Sequence, residues 1–183
     1  MVLRLRDLLV LHIINLEHLL SNGRVLLLLC PIMTKLQYSV GEVELTYKNR
    51  VPFEERQNVA SAYSAYMQVL NIIDPNKIDY KEFFVVIFCD RMGNMTGYHT
   101  LATGGIDGCS VDVRQVMQGA LLTNSACLLV AHNHPSGALR PSAADREVTK
   151  MINNACKALD IRLLDHLIVT THGFYSFTEN GEL

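Results

Sequence analysis

Ala126-Cys127-Leu128-Leu129-Val130-Ala131-His132-Asn133-His134-Pro135 is the stretch on which the fold turns. Its first six residues are apolar without interruption, a length that suits a buried strand and is short for a helix. Pro135 cannot donate to a central ladder, so the strand stops there, and Pro135-Ser136-Gly137 reads as a turn. On a strand, residues two apart share a face. His132 and His134 therefore project together from its C-terminal end, with Asn133 pointing away. In open α/β sheets that end of the strands is where ligands bind.

Working outward, Val148, Met151, Ile152, Ala155 and Leu159 recur at helical spacing, so residues 142–159 read as a helix. Ser142 is its expected N-cap, Pro141 ends the loop before it, and Asp145 lies in the first turn, facing back toward the helix start. Taken alone, Ser142 and Asp145 read as a capping box, with an acidic residue suited to a helix N-terminus. The two histidines change that balance. With Asp145 eleven residues after His134, they offer three nitrogen or oxygen ligands. Three such ligands with an open fourth position are the pattern of a catalytic zinc. Capping by Ser142 is compatible with metal binding by Asp145.

The remaining chain reads as further strands and helices. Residues 38–47 read as a strand, and residues 52–70 as a helix whose core face is Val59, Tyr63, Tyr66, Met67 and Leu70. Asp74-Pro75-Asn76 is a turn. Residues 83–89 and 95–101 are strands joined by a turn at Arg91-Met92-Gly93-Asn94, and residues 113–122 are a helix. Residues 164–170 and 174–177 form a closing hairpin around His172-Gly173. Asp165-His166 reads as a polar pair bonded locally beside a strand; the alternative is a role in orienting a metal-ligating histidine.

His132-x-His134, Ser142, Asp145 and the later Leu164-Asp165-His166-Leu167-Ile168-Val169 together resemble the RadC-like JAB domain, the bacterial RadC branch of the JAMM/MPN metallopeptidase superfamily. The likeness extends to Gly104-Gly105-Ile106, Val111-Asp112-Val113-Arg114 and Tyr175-Ser176-Phe177, and runs from about Val40 to the C-terminus. It implies an α/β fold, a JAB/MPN-type three-layer sandwich with a mixed β-sheet flanked by helices. It implies one zinc ion on His132, His134 and Asp145, with Ser142 helping to stabilise the oxyanion of the reaction. The implied chemistry is hydrolysis of an amide or isopeptide bond in a protein or peptide substrate. The resemblance also carries a traditional label of DNA repair.

The resemblance further implies an upstream glutamate as general acid and base. Counting back from Gly104-Gly105 places Thr100 there, and threonine cannot act as a carboxylate base. Three explanations stay open. The chain is a zinc-binding module with weakened or lost catalysis; or His99, Asp107, Asp112 or the more distant Glu82 substitutes; or the count is off by a residue or two.

A chain of 183 residues with 49% hydrophobic content can bury a core. Residues 37–183 are expected to form the domain. Residues 1–36, rich in leucine and valine, read as an N-terminal extension, with Met33-Thr34-Lys35 as a candidate start of translation and a peripheral amphipathic helix as the alternative. No run of eighteen apolar residues occurs, so no membrane span is expected. The net charge is −2 and no Lys/Arg block stands out, which weakens a nucleic-acid partner. Cys30, Cys89, Cys109, Cys127 and Cys156 are scattered singly, as expected of reduced thiols in a cytoplasmic protein. No nucleotide-binding glycine motif is present.

Overall fold

The computed structural model describes residues 46–48, 51–103 and 111–183. In chain order these form helix α1 (Ala62–Ile72), strands β1 (Phe83–Cys89) and β2 (Met95–Thr103), helix α2 (Val113–Leu122), strand β3 (Cys127–Asn133), helix α3 (Ala143–Ala158), and strands β4 (Arg162–Thr170) and β5 (Gly173–Ser176). The strands form one mixed sheet in the order β2-β1-β3-β4-β5. β3 is antiparallel to β1 and parallel to β4, with Phe84 and Ile168 flanking His132 on its two sides.

β1 and β3 are buried along their whole length, because helices cover both faces of the sheet. Ala65, Tyr66 and Val69 of α1 pack on Val85, Ile87, Leu129, Ala131, Leu167 and Val169. Val116 and Ala120 of α2, with Ile152 and Cys156 of α3, pack on Phe84, Val86, Phe88, Leu128 and Val130. The two sets alternate along β1 and β3, as a period of two requires. The described residues thus make three layers: one helix, the sheet, two helices.

The helix expected from Pro52 begins only at Ala62. Phe53–Glu55 is a single 3-10 turn, and Asn58 instead forms a β-bridge to Asn94 while its side chain accepts from Ala60 N at 2.8 Å. Ser61 then starts α1 through a capping box with Ser64. The phase of the core face also shifts. Tyr66 and Leu70 pack inward, but Tyr63 and Met67 are 63% and 40% exposed, and Ala65 and Val69 take the core positions. Thr46–Lys48 have no regular structure, and the rest of the strand expected over 38–47 lies outside the described residues, as do the N-terminal extension, Cys30, Gly104-Gly105-Ile106, Asp107 and Cys109. Among the described residues Cys89, Cys127 and Cys156 are free and buried, and no helix is long and apolar enough to cross a membrane.

Candidate metal centre

β3 ends in His132 and Asn133, and His134 follows directly. His132 Nε2 lies 3.0 Å from His134 Nε2, so the two rings converge as the alternation along a strand demands. α3 brings in the third group. Asp145 Oδ1 is 3.2 Å from His132 Nε2, and its Oδ2 is 3.8 Å from His134 Nε2. These ligand atoms all lie within 4.8 Å of one another. Ligands about 2.0–2.1 Å from a tetrahedral zinc lie about 3.3 Å apart, which the pairwise separations bracket.

The donor chemistry fits a cation too. His134 Nδ1 is 2.7 Å from the carbonyl of Ala138, which can only accept. The ring proton therefore sits on Nδ1 and the Nε2 lone pair faces the cluster. Burial alone would raise the Asp145 carboxyl. The close approach of His132, with hydrogen bonds from Ser142, outweighs burial and holds Asp145 well below the usual carboxylate range. An ionised carboxylate and imidazole lone pairs aimed at one point make an anion-rich centre suited to a metal ion.

Asp145 also serves the helix. Ser142 N donates to Asp145 Oδ2 at 2.6 Å, and Asp145 N donates to Ser142 Oγ at 3.1 Å. The capping-box and metal readings are thus both satisfied, one carboxylate oxygen toward the cap and the other toward His132. Ser142 is exposed, and its hydroxyl proton is uncommitted among the described residues.

Glu82 lies beside the cluster. It precedes β1, whose Phe84 pairs with His132, so the two lie at the same end of adjacent strands. Glu82, Phe84, His132, Asp145 and Met151 line a cavity of about 300 Å³. Burial raises the Glu82 carboxyl above its ordinary range, the His132 and His134 charges oppose that, and the Asp145 charge adds to it. Thr100 sits elsewhere. It pairs with Val85, which pairs with Ala131, so all three share the α1 face, opposite the metal ligands. His99 pairs with Val86 and is exposed, and Asp112 caps α2 and bridges Arg114 at 3.0 Å. Among the described candidates weighed as a base, His99, Asp112 and Glu82, it is Glu82 that lines the cavity.

Residues 54–182 match the model of the RadC-like JAB domain. The chain belongs to the RadC-like JAB domain family. A UPF0758 protein of Pseudomonas fluorescens (strain SBW25) is 44% identical over 102 residues, which cover 56% of this chain and 46% of that protein. A UPF0758 protein of Acidithiobacillus ferrooxidans (strain ATCC 53993 / BNL-5-31) is 45% identical over 101 residues, covering 55% and 45%. The chain thus spans just under half the length of the curated relatives it matches.

Three further residues of this JAB domain, Asn133, Asp165 and His166, frame the site. Asn133 points to the face opposite the histidines, as expected, but it is not idle. It accepts from Phe83 N at 2.7 Å and donates to the carbonyls of Ile78 and Lys81, at 2.5 and 2.9 Å. Lys81 and Phe83 flank Glu82, so Asn133 fastens the glutamate's backbone to the histidine strand. Asp165 and His166 divide the two roles weighed for them. Asp165 accepts from His166 N, Ser176 Oγ and Thr178 N, a local bracket between β4 and the C-terminal tail. His166 instead reaches the site, with Nε2 2.8 Å from His132 Nδ1 and Nδ1 2.6 Å from Thr149 Oγ1. It is fully buried, with its ring stacked on Phe177 at a centroid distance of 4.7 Å.

Proposed function

We propose that this domain is a zinc-dependent hydrolase of amide or isopeptide bonds in a protein or peptide substrate. The observation that carries the reading is the arrival of Glu82 in the cavity formed beside His132 and Asp145. His132, His134 and Asp145 would hold the ion, leaving one position of a tetrahedral site open. Zinc held there supplies an acidified water and polarises the scissile carbonyl.

Glu82 takes the proton that the attacking water releases and delivers it to the leaving amine nitrogen. A carboxyl raised by burial suits that transfer, because it is a better base when ionised than an ordinary carboxylate. Ser142 Oγ, with its proton uncommitted, donates to the developing oxyanion. Asn133 keeps Glu82 at the mouth of the histidine strand through Lys81 and Phe83. The non-catalytic reading rested on Thr100 standing where a base was needed, and Glu82 removes that support. A net charge of −2 lends no electrostatic support to a DNA-repair role.

The test is hydrolysis of a mixed peptide and isopeptide library by zinc-loaded protein, read by mass spectrometry beside Glu82→Gln. The expected result is cleavage that falls about 100-fold or more in the variant while zinc content is unchanged. Equal cleavage by both proteins would reject Glu82 as the base. No cleavage by wild-type protein carrying one zinc would favour the binding-module reading.

A further inference from the structure

We infer that Thr149 and His166 are positioning residues that hold His132 as the Nδ1-protonated tautomer, so that its Nε2 lone pair is free for a metal ion. The inference rests on the metal reading above. The chain of donors starts at the backbone carbonyl of Asp145, which can only accept. Thr149 Oγ1 lies 2.5 Å from it and commits its one proton there. Toward His166 Nδ1, at 2.6 Å, Thr149 Oγ1 is therefore an acceptor, and Nδ1 carries the hydrogen. With its hydrogen on Nδ1, the His166 imidazole presents the Nε2 lone pair toward His132. His132 Nδ1, 2.8 Å away, must then donate to that lone pair. The lone pair remaining on His132 is at Nε2, the atom that faces His134 Nε2 and Asp145 Oδ1.

Three hydrogen bonds and one close approach form a ring. It runs from the Asp145 carbonyl through Thr149, His166 and His132, and returns to the Asp145 carboxylate. One ligand on α3 thus sets the proton position on another ligand on β3, through a relay residue on β4. The packing leaves the relay no freedom to rotate. Thr149 is 3% exposed, and the His166 ring lies between Phe177, stacked at 10°, and the edge of Phe84.

Thr149→Val keeps the shape and removes the hydroxyl, and Thr149→Ser restores it. Without the acceptor, His166 gains by moving its proton to Nε2, and His132 must then place its own on Nε2, where it blocks the metal. The experiment measures the imidazole nitrogen-15 shifts of metal-free protein and its zinc affinity by competition with a chelating dye. Expected are an Nδ1-protonated His132 in the wild type, and in Thr149→Val a shift toward the Nε2-protonated form. Zinc should bind about 10- to 100-fold more weakly in Thr149→Val, and within about threefold of wild type in Thr149→Ser. A folded Thr149→Val protein with wild-type tautomer and affinity would overturn the inference, as would an Nε2-protonated His132 in the wild type. Wild-type protein that takes up no zinc, yet shows Nδ1-protonated His132, would overturn the metal reading and leave the relay standing.

Discussion

Replacing Asp145 separates its two duties and sets a magnitude on each. Its Oδ2 accepts from Ser142 N at 2.6 Å as part of the α3 cap, and its Oδ1 faces His132 Nε2 at 3.2 Å. Asp145→Ala removes both. Asp145→Asn keeps an oxygen for Ser142 N–H and removes the charge. In metal-free protein, Asp145→Ala should lose about 1 kcal/mol from the capping box. Asp145→Asn should lose less. Zinc at a hundredfold excess over its dissociation constant adds about 2.7 kcal/mol to a protein that binds it only when folded. Wild type gains that increment and neither variant does. The gap between wild type and Asp145→Ala therefore widens from about 1 to about 4 kcal/mol on adding zinc. Urea unfolding in chelator and in buffered zinc measures both gaps, with equal m-values showing that the transitions are comparable. A gap of about 1 kcal/mol in both conditions would mean that Asp145 is a helix cap alone, and the metal account would fall.

Three other perturbations probe the frame. Because burial raises the folded-state Glu82 carboxyl, its ionisation costs stability that is absent at acid pH and is imposed as pH rises through the raised value. Metal-free Glu82→Gln should therefore melt above wild type at pH 7, with the difference closing below about pH 4, the unfolded glutamate range; a difference that persists in acid would contradict the placement of Glu82. Asn133→Ala leaves Phe83 N and the carbonyls of Ile78 and Lys81 without their partner, so it should cost about 3 kcal/mol or more and cut turnover while zinc stays bound. Unchanged turnover would show that Glu82 does not depend on Asn133. Gly119→Ala should destabilise by about 1–2 kcal/mol despite the helix propensity of alanine, because its Cβ would lie 2.3 Å from Phe88 Cζ in the packed α2–β1 contact. A more stable variant in denaturant titration would show that this contact yields.

The sheet and the metal ligands were legible because their signals are local. The apolar run before His132 bounds a strand, alternation pairs His132 with His134, and Ser142 with Asp145 marks the start of α3. Glu82 was harder to place because strand order does not follow chain order. Counting back from Gly104-Gly105 lands on β2, yet β1 lies between β2 and β3 and brings its first residues beside His132. A signal was available in Phe83–Cys89, as continuously apolar as the run before His132 and so central to the sheet. A carboxylate at the start of a central antiparallel partner meets the C-terminal end of β3. The phase of α1 was misread because Asn58 and Ser61 delay its start, a matter of side-chain bonds and not of periodicity. Thr149 gave no sign at all. It is one more residue on a helix until β4 sets His166 against it.

Anomalous X-ray scattering at the zinc edge, from crystals grown in zinc, tests the central claim most directly. The account predicts one strong peak at coordination distance from His132 Nε2, His134 Nε2 and the Asp145 carboxylate, with His166 outside the coordination shell and Glu82 facing the open position. No peak there in zinc-replete crystals, or a peak ligated by His166 in place of His132, would contradict it.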